Sequence, residues 1–122
     1  MRKIIIGVLL LLFLTGCSSS KKVEYHDVSV AEAKEMIMEG DAAILDVRSN
    51  REFSNHHIEG AVNVDVETIS FIEDVFPDKT RAILVYCQSG MRSKRASEML
   101  IEMGYTNIYN LVGGLTAYEE GE

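Results

Sequence analysis

Apolar positions in this chain fall into short continuous runs separated by stretches of helical spacing. Val23 to Val28 reads as a short leading strand. Ser29 and Glu32 form a capping box, and Val30, Ala33 and Ile37 then recur at helical spacing until Gly40 closes the helix. Ala42 to Val47 is apolar except for Asp46, as expected of a strand covered on both faces. Arg48 to Ile58 is polar and irregular, predicting a loop with one helical turn, and Ala61 to Val64 is a further short strand. Glu67 to Val75, with Ile69, Ile72 and Phe76 on one side, predicts a short helix ended by the turn Pro77-Asp78-Lys79. Arg81 to Tyr86 is the next buried strand. Ser93 to Met103 places Ala96, Met99, Leu100 and Met103 on one helical face, with Gly104 as its stop. Tyr105 to Val112 predicts a strand, Gly113-Gly114 a turn, and Leu115 to Glu120 at most a short final helix. Strands alternating with helices predict an α/β fold, a mainly parallel sheet of about five strands with helices on both faces.

The first residues follow a different logic. Met1-Arg2-Lys3 is a basic start, and the eleven residues Ile4 to Leu14 are apolar apart from Gly7. Such a stretch is shorter than the ~20 residues a membrane-spanning helix needs and reads as a signal-peptide core. It ends in Leu14-Thr15-Gly16-Cys17, which resembles the lipobox of bacterial lipoproteins. That resemblance implies cleavage before Cys17, lipid attachment at Cys17, and an extracytoplasmic protein held on a bacterial membrane by acyl chains. The expected division is therefore a signal peptide at 1–16, the lipidated cysteine and a flexible serine-rich tether at 17–22, and one domain at 23–122.

Charge narrows the partners. The chain has 12 basic and 19 acidic residues, and loss of Arg2 and Lys3 with the signal leaves a net charge of −9. That surface disfavours nucleic acid and anionic lipid, so the anchor rests on the acyl chains alone. With Cys17 lipidated, Cys87 is the remaining thiol and no internal disulfide can form. His26, His56 and His57 offer no zinc-type ligand spacing, and no metal or other cofactor is expected.

Cys87 ends the apolar run Ile83-Leu84-Val85-Tyr86 and opens Cys87-Gln88-Ser89-Gly90-Met91-Arg92-Ser93, which leads into a helix. Unpaired N–H groups and the positive end of the helix dipole favour a thiolate at such a position. A turn from Cys87 to Arg92 is able to aim several N–H groups at one sulfur, with Gly90 free to take positive φ. Arg92, Lys94 and Arg95 form a cationic island suited to a small dianion, and Arg92 offers it a charge-assisted fork. Lys94 and Arg95 read equally well as a solvated helix face.

Three segments carry a family resemblance. Leu45-Asp46-Val47-Arg48, Glu52-Phe53 and His57-Ile58-Glu59-Gly60-Ala61-Val62-Asn63-Val64 resemble the first signature of rhodanese domains. Val85 to Ser93 resembles their active-site loop, and Gly104-Tyr105-Thr106-Asn107-Ile108 with Leu111 and Gly113-Gly114 resembles their closing signature. The match runs from about residue 24 to residue 120. It implies a sulfurtransferase that moves sulfane sulfur from thiosulfate or a similar small anionic donor, through a persulfide on Cys87, to cyanide or a thiol. Gln88, Ser89, Gly90, Met91, Arg92 and Ser93 would bind substrate and persulfide, while Asp46, Arg48, Glu52 and His57 would support the loop. The alternative is a persulfide carrier or a sulfur- or redox-sensing module serving a protein partner. Cysteine phosphatases of similar form place five residues between nucleophile and arginine. Here four lie between Cys87 and Arg92, the tighter loop of the sulfurtransferases. Two positions depart from the family pattern. His56 stands where a glycine is usual, so that loop is expected to take another path if positive φ is required. Tyr118 stands near the place of a tryptophan that packs the last helix.

Overall fold

Strand phase decides which side of the sheet each residue enters, and here it sends Cys87 and Asp46 to opposite faces. The structure, a computed structural model, describes residues 22–121. The targeting segment 1–16, Cys17 and the tether through Lys21 lie outside the described residues, as does Glu122. The elements are β1 (His26–Val28), α1 (Val30–Glu39), β2 (Ala43–Asp46), α2 (Asn50–Asn55), β3 (Val62–Asn63), a 3₁₀ helix (Val66–Phe71) continuing into α3 (Ile72–Val75), β4 (Ile83–Tyr86), α4 (Met91–Glu102), β5 (Ile108–Leu111) and α5 (Gly114–Glu120). The five strands form one sheet in the order β1-β5-β4-β2-β3, and every pairing is parallel. This is the α/β architecture that the alternating pattern predicts.

Each face of the sheet carries its own core. Ala43, Leu45 and Val47, with Ile83, Val85, Cys87 and Ile108, pack beneath the 3₁₀ helix, α3 and α4 through Val66, Ile69, Ile72, Ala96 and Leu100. The intervening Ile44, Leu84, Tyr86 and Leu111 face α1 and α5 through Val30, Ala33 and Leu115. Cys87 is therefore a continuation of the Ile83–Val85 stripe, and it meets α4 because a strand alternates with period two.

Several boundaries differ from expectation for identifiable reasons. The leading strand begins at His26 rather than Val23, because its only neighbour, β5, starts pairing at Ile108–Tyr109. Tyr105 cannot extend β5 backwards, since its ring is sunk in the α4-side core with its hydroxyl donating to the Phe76 carbonyl. The expected single helix over 67–75 is instead a 3₁₀ helix kinked at Thr68 and followed by one turn of α3. Val66, Ile69 and Ile72 are all buried, and their three-residue spacing is the 3₁₀ period. Within the region expected to be a loop, α2 is capped by a Ser49–Glu52 box of the same form as Ser29–Glu32. It buries no residue, which is why no apolar period announces it. α4 starts at Met91, two residues before the predicted start, so Arg92 lies in its first turn.

The two departures from the family pattern are absorbed without strain. His56 is extended (φ −169°, ψ 154°), and among the described residues no non-glycine residue has positive φ. Tyr118 packs against the α1–α5 core, with the Lys34 ammonium 5.2 Å from its ring centre.

Candidate active site

Cys87 is 1% exposed and lies just past the C-terminal end of β4. Gly90 then turns the chain with φ +112° and caps α4. Its N–H donates to Cys87 Sγ at 3.1 Å. Ser93 Oγ lies 3.5 Å from the sulfur and donates to the Gly90 carbonyl at 3.1 Å. On ionisation the hydroxyl is free to rotate its proton onto the sulfur. Burial pushes the thiol pKa up. The Ser93 hydroxyl, and then the N–H groups of Ser93, Gly90 and Ser89, outweigh burial and leave it below the ordinary cysteine value.

The carbonyls of the same loop face away from the sulfur. Cys87 O accepts from Leu115 N–H at 2.8 Å, and Gln88 O accepts from Thr116 N–H at 3.1 Å. The free N–H groups of the first turn of α5 thus draw the loop carbonyls outward, which turns the loop N–H groups inward. Gly114 makes this approach possible. A Cβ there would lie 2.6 Å from both the Cys87 and Gln88 carbonyl oxygens. Sequence reading placed Gly113-Gly114 in a turn and missed this role; the glycine pair was the available signal.

Gln88 joins the loop to its supports. Its Oε1 accepts from Arg48 Nη1 at 3.1 Å, and its Nε2 donates to Thr116 Oγ1 at 2.9 Å. Arg48 is 3% exposed and Asp46 0% exposed. Arg48 Nη2 donates to Asp46 Oδ2 at 2.7 Å and Nε to Oδ1 at 3.1 Å, while Nη2 also donates to the His56 carbonyl at 2.7 Å. Asn63 Nδ2 spans the Asp46 and Arg48 carbonyls at 3.0 and 2.9 Å. Tyr86, one residue before Cys87, accepts Ile58 N–H at 3.1 Å; burial, then its hydrogen bond to Asp46, raises its pKa. Neither Tyr86 nor Asn63 stood out in the sequence, where both read as strand residues.

Glu52 and Arg92 meet face to face, Nη1 to Oε1 at 2.7 Å and Nη2 to Oε2 at 2.9 Å. The Arg92 hydrogen bonds hold the Glu52 pKa down to about 2. The fork that sequence reading offered to a dianion is therefore spent on Glu52. Arg95 is likewise paired with Glu67 at 3.1 Å. The cationic island is largely neutralised, and Lys94 remains an exposed side chain on α4. Ser89 and Met91 are exposed at the loop tip, Met91 by 81%. His57 stands apart from the sulfur: its Nδ1 lies 2.7 Å from the Phe53 carbonyl, and its ring stacks on Phe53 at 3.7 Å.

One consequence is measurable at once. Since hydrogen bonds hold the Cys87 pKa below the ordinary cysteine value, the midpoint of its alkylation by iodoacetamide will lie at lower pH than that of the unfolded chain. Ser93→Ala removes a donor to the charged sulfur, so that midpoint will rise and the rate at pH 7 will drop about tenfold. An unchanged pH profile in Ser93→Ala would show that the hydroxyl does not hold the thiolate.

Cys87 is a buried thiol whose pKa is lowered by the Ser93 hydroxyl and the loop N–H groups, in a loop that Gln88 ties to the buried Arg48–Asp46 pair. The chain belongs to the rhodanese-like domain family, whose model matches residues 29–121. Residues 1–18 match the prokaryotic membrane lipoprotein lipid attachment site, the mark of a lipid-anchored membrane protein. No helix among the described residues is long and apolar enough to cross a membrane. The chain is 30% identical to the thiosulfate sulfurtransferase GlpE of Coxiella burnetii over 95 residues, 78% of this chain and 88% of that protein. It is 34% identical over 111 residues to the tRNA uridine(34) hydroxylase of Chlamydia trachomatis, covering 84% of this chain and 34% of the relative. The chain thus spans about a third of the length of the hydroxylases it matches. Among solved structures, the human single-domain sulfurtransferase TSTD1 superposes with a TM-score of 0.71 at 26% identity, covering 79% of this chain and 96% of that one.

Proposed function

We propose that the protein is an extracytoplasmic sulfurtransferase, anchored through lipid on Cys17, with Cys87 as its nucleophile. The cradle of Gly90 N–H and Ser93 hydroxyl around a buried sulfur carries this reading. The Cys87 thiolate attacks the outer sulfur of thiosulfate. The sulfur–sulfur bond of the donor breaks, sulfite leaves with its electron pair, and a persulfide anion remains on Cys87. The loop N–H groups stabilise that terminal sulfur as an oxyanion hole stabilises an oxygen. Cyanide then takes the terminal sulfur as thiocyanate, or a thiolate takes it as a new persulfide, and the Cys87 thiolate returns. Asp46, Arg48, Glu52 and Gln88 hold the loop, and His57 fixes the segment after α2.

The pairing of Arg92 with Glu52 and of Arg95 with Glu67 favours a second reading of the donor. A mouth whose arginines are already paired pulls weakly on a dianion, so a low-charge persulfide suits it better than thiosulfate. In that case the protein acts as a persulfide carrier for a thiol or protein partner. The likeness to tRNA hydroxylases does not extend to RNA here, since 19 acids against 12 bases work against binding a polyanion.

Intact mass tests both. The domain from Lys21 onward should gain one sulfur atom with thiosulfate, or with a small-molecule persulfide under the second reading. Cyanide should remove it, and Cys87→Ser should never gain it. Absence of any gain from either donor, with Cys87 reduced and alkylatable, would sink the sulfurtransferase reading.

A further inference from the structure

Because every strand is parallel, the end of the sheet at which the chain enters and the end at which it reacts are opposite ends. Cys87 follows the C-terminal end of β4. β1 begins at His26, which lies level with Tyr109 and so with Leu84, three residues before Cys87 and about 10 Å below it along the strands. The residues before β1 continue downward. Lys22, Val23, Glu24 and Tyr25 line a groove of about 470 Å³ with Glu98, Ile101 and Glu102, all from the second half of α4. α4 starts at the loop with Met91 and runs away from it, so Glu102 lies about 16 Å from Met91 along the helix.

We infer that the lipid anchor holds this domain with the Cys87 loop directed away from the bilayer, so that its sulfur acceptor is a water-borne molecule rather than one embedded in lipid. The anchoring residue and the described domain are separated by the five steps from Cys17 to Lys22, at most about 17 Å of chain. Bringing the loop down to the lipid would require this tether to run back along α4 for nearly its whole length, with no slack left. Its path would follow the second half of α4 past Glu98 and Glu102. The orientation rests on the lipid anchor, and the choice of acceptor rests in addition on sulfur transfer at Cys87.

The test uses the full lipidated chain in phosphatidylcholine vesicles that contain a fluorescent acceptor lipid. In a Cys87→Ser background, a donor dye is attached to Met91→Cys or to Glu102→Cys, both exposed positions. Energy transfer to the lipid should be clearly stronger from position 102 than from position 91. Equal transfer, or stronger transfer from 91, overturns the inference. Failure of the chain to float with the vesicles would remove the anchor and the inference together. The chemical arm uses the vesicle-bound protein with Cys87 intact and loaded with sulfur. Dithiothreitol in the buffer should discharge it at least tenfold faster than a phospholipid carrying a headgroup thiol at equal bulk concentration. Faster discharge by the lipid thiol overturns the acceptor assignment. If no sulfur loads at all, the sulfurtransferase reading fails, and with it the assignment of an acceptor, while the dye measurement still decides the orientation.

Discussion

Exchange of Gly114 for alanine will cut sulfur loading of Cys87 by about 100-fold, although residue 114 contributes no side chain to the cradle. The added Cβ would sit 2.6 Å from two backbone oxygens, those of Cys87 and Gln88, at a residue with φ +62°. Backbone cannot rotate aside as a flexible side chain can, so the loop or the start of α5 must move. Either movement breaks the bonds from Leu115 and Thr116 N–H that turn the loop N–H groups toward the sulfur. A displacement of about 1 Å at a catalytic group commonly costs ~10²-fold, and overpacking with strained φ adds about 1–3 kcal/mol of instability. Loading kinetics by mass, beside thermal unfolding, separate the two effects. A Gly114→Ala protein that loads at the normal rate would show that α5 does not set the loop geometry.

Asp46→Ala carries the largest expected loss of stability, about 3–5 kcal/mol. The Arg48 guanidinium is 3% exposed, and its main anionic partner would be gone. The neutral partners that remain, Gln88 Oε1 and the His56 carbonyl, do not compensate a buried charge. Because Arg48 also holds Gln88, the damage will reach the Cys87 loop, and loading will fall together with the denaturation midpoint. The double variant Asp46→Ala/Arg48→Met, which removes the stranded charge, should recover part of the stability. If the double variant is no more stable than Asp46→Ala, the cost lies elsewhere than in an unpaired Arg48.

What the sequence made legible follows from the physics of each signal. Ser29–Glu32, the apolar run 83–86 and the Ala96/Leu100 spacing are local patterns, and the elements they predict exist. The place of Cys87 at a strand-to-helix junction was legible for the same reason. The extent of α2 and the 3₁₀ helix was not. α2 has no buried face to leave a period, and the 66-69-72 stripe fits an α-helix nearly as well as a 3₁₀ helix over so short a length. Long-range pairings were the least visible. Arg92 with Glu52 lies 40 residues apart, and Gln88 with Thr116 lies 28 apart. Nothing local marks Glu52 as the group that would occupy the arginine fork.

The bonds from α5 to the loop also tie the state of the thiol to folding. The Gly90 and Ser93 groups that lower the Cys87 pKa sit in a loop whose Cys87 and Gln88 carbonyls accept from Leu115 and Thr116, residues of the last element of the described fold. An unfolded chain has the cysteine without the cradle, and its sulfur is an ordinary thiol, mostly protonated at neutral pH. The lowered pKa of Cys87 is therefore a property of the folded domain. Until α5 has docked on the loop, the sulfur keeps the weaker reactivity of an ordinary thiol.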